Sequence, residues 1–434
     1  MRAAMGALTT RGRAFLSSGV TALLCAAVLG LDDLARVGLL LVALPLISAV
    51  VVSRGRLRLG LTRTVTPSRT GVGQDAVVRL ALTNDGRTPA GTVLLEEQVP
   101  YVLGARPRFT LDRMGPRWRR TVEYRVRSEV RGRYLLGPMT VRVDDPFGLV
   151  ELRRTFQSTT PLVVTPPVTV LPPIPLAGLW AGTGDNRPRD FAGGSAEDVT
   201  VREYRRGDDL RRVHWRSSAH AGELMVRREE QPWQSRATVF VDNRRHVHRG
   251  SGPGSSLEYA VAFAASVCLH LAQRGFQVRL VTAASAGGGD QAHAGGTPDH
   301  AWHQHAAVAD AGPLLESLAV LADAPTVRMD TAWLADSGAS GLLVAITGAL
   351  DTSDQPALGR LRHAASTPMA VVLDVERWSR GGDADGARAA ELLTAQGWRA
   401  VTAAPGDDPA RVWQRLGLTT HRRRTATAAE GARR

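Results

Sequence analysis

Lysine is absent from this 434-residue chain, so all 54 basic side chains are arginines. A Gly-Lys-Ser/Thr phosphate loop is therefore excluded, and the lone pair Gly193-Gly194 carries little phosphate-binding signal on its own. Cysteine is nearly absent too: Cys25 lies in a membrane-like run and Cys268 in an apolar helical run. Neither reads as half of a disulfide or of a zinc site, which fits a reducing compartment. No Gly-x-Ser-x-Gly elbow occurs, so serine–histidine–aspartate hydrolysis has no support. The formal net charge is +13. Uniform use of arginine, with abundant alanine and glycine, reflects a GC-rich genome more simply than a nucleic-acid ligand. The excess favours anionic lipid or acidic partners.

Two charge-free apolar runs open the chain, Ala14 to Leu31 and Val37 to Ser53. Each is at the short end of the length needed to span a bilayer as a helix. The connector Asp32-Asp33-Leu34-Ala35-Arg36 allows only a tight hairpin. Arg2, Arg11 and Arg13 precede the first run, Arg54, Arg56, Arg58 and Arg63 follow the second, and the connector holds only Arg36. The positive-inside rule puts both ends in the cytoplasm. A cleaved signal peptide is disfavoured by the second run and by the lack of a small-x-small cleavage site. The expectation is a multi-pass cell-membrane protein with its amino terminus and soluble domains cytoplasmic, embedded in a lipid bilayer.

From Arg56 to Pro166 the apolar residues alternate, as in Val122-Glu123-Tyr124-Arg125-Val126-Arg127. Such a period marks half-buried strands, and Asn84-Asp85-Gly86 is a turn signal between two of them. Short strands at this spacing predict an all-β sandwich of immunoglobulin-like type. Asp144-Asp145-Pro146-Phe147-Gly148-Leu149 reads as a tight turn between strands 139–143 and 150–156, with Gly148 at positive φ. Pro161 to Pro175 reads as a proline-rich extended connector.

After residue 236 strands and helices alternate. Strands are expected at 237–242, 277–282, 341–347, 368–374 and 399–403, with helices at 256–274, 313–322, 358–363 and 384–396 and a closing segment at 409–416. The alternation predicts a mostly parallel sheet with helices on both faces. His293, His300, His303 and His305, with Asp290 and Asp299, match no common zinc spacing and read as a surface insertion. The arginine-rich end, 419–434, lacks apolar period and reads as a disordered tail.

Between the two patterns lies the densest segment of the chain, Val201 to Arg216, which packs together Arg202, Glu203, Tyr204, Gly207, Asp208, Asp209, Arg211, His214 and Trp215. The architectural reading makes Asp208 the N-cap of a helix running to about Ser218, with Gly207 as its turn and Arg211 covering Trp215 four residues on. The catalytic reading gathers Glu197, Asp198, Glu203, Asp208, Asp209 and His214 into a metal-dependent hydrolase. Against it, arginines nearly equal in number interleave with the acids. A nucleic-acid-binding reading through the arginines, Tyr204 and Trp215 is weakened by those same acids. Architecture or partner docking is the expectation.

These residues, together with Asp190-Phe191 and the upstream Arg131-Gly132-Arg133-Tyr134, Gly137-Pro138 and Asp145-Pro146-Phe147-Gly148-Leu149, resemble the bacterial domain of unknown function 58 family along the whole chain. Where the family has an Ala-Arg pair after the tryptophan, this chain has Ala219-His220. The resemblance implies a membrane hairpin (1–55), a β-sandwich (56–166), the signature region (167–236), a von Willebrand factor A-like α/β domain (237–418) and the basic tail (419–434). It also implies partnership with a MoxR-type AAA+ ATPase and with a transglutaminase-like membrane protein. A metal site of the von Willebrand A type needs Asp-x-Ser-x-Ser after the first strand, with a threonine and an aspartate on later loops. Here Asp242-Asn243-Arg244-Arg245-His246 puts Arg244 and His246 in the serine positions, and Thr347-Gly348-Ala349 has no acid immediately after the threonine. The site at Asp242 is expected to be degenerate and metal-free. The expected function is a non-enzymatic adaptor or co-chaperone in envelope assembly, without cofactor, nucleic acid or small-molecule substrate.

Overall fold

The computed structural model describes residues 8–54, 59–84, 92–112, 117–144, 147–175, 201–204, 213, 215–227, 236–283, 311–334, 341–379 and 385–418. Asp85-Gly86, Asp190-Phe191, the histidine-containing insertion and the arginine-rich end lie outside the described residues. The helices are α1 (Thr10–Leu29), α2 (Asp32–Arg54), α3 (Trp215–Ala221), α4 (Ser256–Gln273), α5 (Gly312–Val320), α6 (Gln355–His363), α7 (Asp385–Ala395) and α8 (409–418). The first strands are β1 (Leu59–Thr66), β2 (Arg69–Gly71), β3 (Asp75–Asn84), β4 (Val93–Glu97), β5 (Arg108–Leu111) and β6 (Arg119–Arg127). Next come β7 (Gly132–Leu136), β8 (Met139–Asp144), β9 (Glu151–Phe156), β10 (Thr160–Thr165), β11 (Val201–Glu203) and β12 (Met225–Arg227). The last are β13 (Arg236–Val241), β14 (Gln277–Thr282), β15 (Leu342–Thr347), β16 (Thr367–Leu373) and β17 (Arg399–Ala403). The chain forms two compact units, one of residues 1–168, 251–254 and 312–322, the other of the remainder.

In the first unit both apolar runs are helical, and each helix is long and apolar enough to cross a membrane. The expected five-residue connector shrinks to Gly30-Leu31, because α2 already begins at Asp32. Asp32 and Asp33 sit in its first turn, where the helix dipole favours negative charge. Gly30 takes φ +66° and returns its N–H to the Ala26 carbonyl, closing α1 as a left-handed cap. A Cβ on Gly19 would meet Val42 at 2.7 Å, and one on Gly38 would meet Leu23 at 2.9 Å, so the two glycines let the helices touch.

The strands of this unit build three sheets, β1-β3-β6, β2-β10-β7 and β5-β4-β8-β9. Their period-two faces meet in one core that includes Val78, Leu80 and Leu82 of β3, Leu95 of β4, Leu136 of β7, Met139 and Val141 of β8, and Leu162 and Val164 of β10. The buried Arg63 side chain crosses to Glu97, Nη2 to Oε1 at 2.8 Å.

Two expectations are corrected here. Residues 160–165 are not connector but strand β10, parallel to β2 and antiparallel to β7. Pro161 is tolerated near the strand's start, and the buried Leu162-Val163-Val164 run then decides the conformation. Helix α5, expected at 313–322 within the α/β domain, instead packs on β10 and β7. Its Leu314 and Leu318 are fully buried there. Arg131, at the start of the Arg-Gly-x-Tyr run, donates from Nε to the Leu318 carbonyl at 3.2 Å and from Nη2 to that of Leu321. These bonds satisfy carbonyls at the helix's open end.

The second unit holds a five-stranded, wholly parallel sheet in the order β14-β13-β15-β16-β17. Strands β13, β14 and β15 are buried along almost their whole length, as both faces being covered requires. Helix α4, capped by the Ser255 hydroxyl accepting from Glu258 N–H, packs on β13, β14 and β15. Phe240, Leu343, Ala345, Ala370, Val372 and Ala400 of the strands share a core with Leu358 and Leu361 of α6 and Leu393 of α7. Residues 169–175 run along this unit as a strap: Thr169 N–H donates to Ser266 Oγ, and the Pro172 carbonyl accepts from Trp413 Nε1 at 3.1 Å.

Candidate functional site

Two places concentrate polar chemistry. The first is the signature. Among its residues Gly207, Asp208, Asp209, Arg211 and His214 lie outside the described residues, and of Arg202 and Glu203 only the backbone is described. That backbone forms β11, paired antiparallel with β12 in the register Arg202↔Val226 and Glu203↔Met225. Tyr204 N–H extends the ribbon to the Leu224 carbonyl at 2.7 Å. Val213 makes a further antiparallel bridge to Val226.

The expected helix from Asp208 to Ser218 is therefore corrected. Val213 is spent on the bridge, which interrupts a continuous helix over that span, and the helix among the described residues runs from Trp215 to Ala221. The expected cap Asp208 and the expected Trp215 partner Arg211 lie outside the described residues. Short α3 buries no residue at all. It is held to the ribbon by Ser218, whose hydroxyl accepts from Met225 N–H at 2.8 Å. Trp215 is 72% exposed, so the most apolar side chain of the signature stands at the surface.

The second place is the carboxyl end of the parallel sheet. In sequence order its strands run 2-1-3-4-5, so the direction of winding reverses between β13 and β15. In sheets of this kind ligands bind in the crevice outside the strand ends at that reversal. Asp242 follows β13, and Thr347 ends β15. Two residues past Asp242 stands Arg244, fully buried. Its Nε and Nη2 donate to the two Asp242 carboxylate oxygens at 2.9 and 2.8 Å. Its Nη1 and Nη2 donate to the two Asp354 oxygens at 2.7 and 3.1 Å. Nη1 also reaches the Val327 carbonyl at 2.8 Å. A planar fork of five donors suits two carboxylates at once, which an ammonium could not do.

Burial alone would loosen the Arg244 proton. The hydrogen bonds and charges of Asp242 and Asp354 outweigh it, so its pKa is raised and the cation is permanent. Asp354 was not legible as a partner: it lies seven residues past Thr347, and a tight turn brings it back. In that turn Asp351 Oδ1 accepts from Ser353 N–H at 2.7 Å, and Asp354 Oδ2 accepts from Asp351 N–H at 3.3 Å. The crevice is further closed by backbone, since a Cβ on Gly348 would lie 2.1 Å from the Val247 carbonyl oxygen.

A divalent ion does not fit these residues. The guanidinium already occupies the space between the carboxylates and would repel a second cation. Among the described residues no three His, Cys, Asp or Glu side chains group as a metal site.

His248 buttresses the same loop. Its Nε2–H donates to the Asp242 carbonyl at 2.6 Å, and its Nδ1 accepts from the Ser256 hydroxyl at 3.0 Å. Burial lowers its pKa, and burial likewise lowers that of His270 on α4. The unfolded chain, with histidine near pKa 6.5, then binds more protons than the folded unit at mildly acidic pH. Stability is fully present above about pH 6.5 and falls as pH drops below it. Thermal unfolding between about pH 5 and 7.5 should show this loss, and His248→Gln should flatten the profile. A profile equally steep in that variant would exclude His248 as a source.

Residues 200–301 match the model of the family described as "Protein of unknown function DUF58", which bears out the resemblance carried by the signature. No curated protein matches the chain. Among solved structures, the CARDB domain of a Pyrococcus furiosus protein in complex with di-metal ions is 18% identical, with 25% of this chain and 93% of that one covered and a TM-score of 0.20. A Pseudomonas fluorescens alkylpurine DNA glycosylase bound to DNA is 16% identical over 29% of this chain and 39% of its own, at a TM-score of 0.15. A Listeria innocua beta-glucosidase in complex with glucose is 10% identical over 24% of this chain and 16% of its own, at 0.14. Likenesses this faint carry no reading of fold or function.

Proposed function

We propose, taking the family match of residues 200–301 as premise, that this protein is a membrane-anchored, non-enzymatic adaptor or co-chaperone. It would dock a MoxR-type AAA+ ATPase, with a transglutaminase-like membrane protein as a further partner, and assist assembly or maturation of envelope proteins. Its hairpin would hold the soluble units on the cytoplasmic face, consistent with Arg11, Arg13 and Arg54 flanking the two helices. The strand unit is read as an immunoglobulin-like sandwich and the parallel-sheet unit as a von Willebrand factor A-like domain that has replaced its metal by Arg244.

The observation that carries docking over architecture is Trp215. A tryptophan in a family signature, 72% exposed on a helix that buries nothing, does not hold the fold together. Exposed tryptophan and arginine are the side chains most able to anchor a partner, and Arg216 beside it is exposed as well. Trp215→Ala should leave the thermal midpoint within about 1 °C of wild type, since surface changes of this kind cost at most ~0.5 kcal/mol. It should weaken binding of the purified ATPase at least tenfold, the effect of losing an anchor worth about 2 kcal/mol. Equal affinity of wild type, Trp215→Ala and the pair Asp208→Ala/Asp209→Ala for that ATPase would remove the signature as its docking site.

A further inference from the structure

One motif has no part in the docking site: the Phe147-Gly148-Leu149 end of the turn between β8 and β9. We propose that this turn seats Phe147 in the interfacial layer of an anionic bilayer, the same bilayer that α1 and α2 span. The proposal rests on the membrane reading of the hairpin.

Its basis is a set of contacts that fix the depth of the turn. Thr9, the N-cap of α1, donates from its backbone N–H to the Leu149 carbonyl at 3.0 Å. Its hydroxyl donates to the Gly148 carbonyl at 2.7 Å and accepts from Gly12 N–H at 3.2 Å. Leu8 continues this as an antiparallel bridge to Val150. A Cβ on Gly12 would lie 2.2 Å from the Leu149 oxygen, so the turn's backbone rests directly on the first turn of α1. Gly148, at φ +68°, supplies the bend that aims both carbonyls at Thr9.

Helix length converts these contacts into depth. The 20 residues of α1 rise about 30 Å, which matches the hydrocarbon core of a bilayer. The start of the helix, and with it the clamped turn, then lies at the boundary between acyl chains and headgroups. Phe147 is one residue from the clamp and 61% exposed. An aromatic ring at that level gains from burial among the upper acyl chains. Arg11 and Arg13 of the same helical turn are exposed, and their guanidiniums suit phosphate headgroups.

The sheet supplies an internal contrast. Glu97 pairs with Met139 at the opening of β8, whereas Val93 pairs with Val143 near its end. Tyr101, 94% exposed, follows Glu97 and so belongs to the opposite end of this sheet from Phe147. One exposed aromatic is clamped to the membrane helix and the other is held away from it.

The test uses nitroxide labels on the full chain in vesicles of phosphatidylcholine and phosphatidylglycerol. Cys25→Ala removes the exposed native thiol, and Cys268 is buried. Labels go on Phe147→Cys, Tyr101→Cys and, within α2, Leu40→Cys. Relaxation by oxygen against a water-soluble nickel chelate should place position 40 in the core and position 147 in the interfacial layer. The oxygen-to-nickel ratio at 147 should exceed that at 101 several-fold. Adding Gly12→Val, which breaks the clamp, should bring 147 towards the value at 101. A label at 147 as open to nickel as the one at 101, with 40 still in lipid, overturns the proposal. Nickel access at position 40 would instead overturn the spanning hairpin, and the proposal with it.

Discussion

Replacing Arg244 by alanine should cost the parallel-sheet unit about 3–5 kcal/mol, the range for breaking a buried ion pair by removing one partner. The effect is large because the loss is not of one bond. Asp242 is fully buried and Asp354 nearly so, and without the guanidinium both carboxyl groups lose the donors that compensate their burial. The Val327 carbonyl loses its donor as well. In a unit of this size the midpoint of thermal unfolding should fall by on the order of 10 °C. Arg244→Lys should recover part of this, since a point charge remains but the fork is lost. The local measurement is amide exchange in β13 and β15 of the full chain in nanodiscs, where protection should fall together. Added Mg²⁺ or a chelator should leave the wild-type midpoint unchanged, because the guanidinium holds the cation position. A wild-type midpoint that rises with Mg²⁺, or an Arg244→Ala chain within about 1 kcal/mol of wild type, would refute this account.

The sequence marked Asp242 and Arg244 as standing on one loop after the first strand of the parallel sheet. The way the site is filled was not legible. Spacing along one loop cannot say which side chain from another loop will meet it, and Asp354 comes back through a turn whose geometry depends on Asp351 and Ser353. The strands and helices of the parallel sheet were read to within a few residues, because runs such as Val239-Phe240-Val241 are apolar on both faces and α4 has a clear apolar period. Strand order was not read, since a period says which face is buried and not which neighbour buries it.

The same limit explains two corrected elements. Pro161 and the prolines after it masked β10, whose buried Leu162-Val163-Val164 core outweighs them. In the signature the Asp208-Asp209 pair read as a helix start; the pair lies outside the described residues, and what is described there is governed by strand pairing. Val213 is bridged to Val226, which a continuous helix through that position would not allow. Trp215 stands at the start of the described helix and is exposed.

Deleting residues 312–322, or ending the chain at 168, should destabilise the strand unit by about 3–6 kcal/mol. That figure is the burial of two leucines at about 1.5–3 kcal/mol each, since Leu314 and Leu318 are fully buried within this unit. Arg131, only 9% exposed, would lose both of its carbonyl acceptors on Leu318 and Leu321. The Glu316 carboxylate that pairs with Arg69 of β2 would go too, though that pair is half-exposed and adds little. A chain stopping at 168 therefore exposes the faces of β10 and β7 that α5 covers. Leu318→Ala is the milder version, with an expected cost of about 2–5 kcal/mol. Protease resistance of the strand unit should fall in that order, from wild type through Leu318→Ala to the truncation. If the chain ending at 168 resists proteolysis as well as the intact protein, α5 is a passenger on this sheet. If it does not, the return of the chain at 312–322 is what completes the strand unit, and the Arg-Gly-x-Tyr run that opens with Arg131 has its role in receiving it.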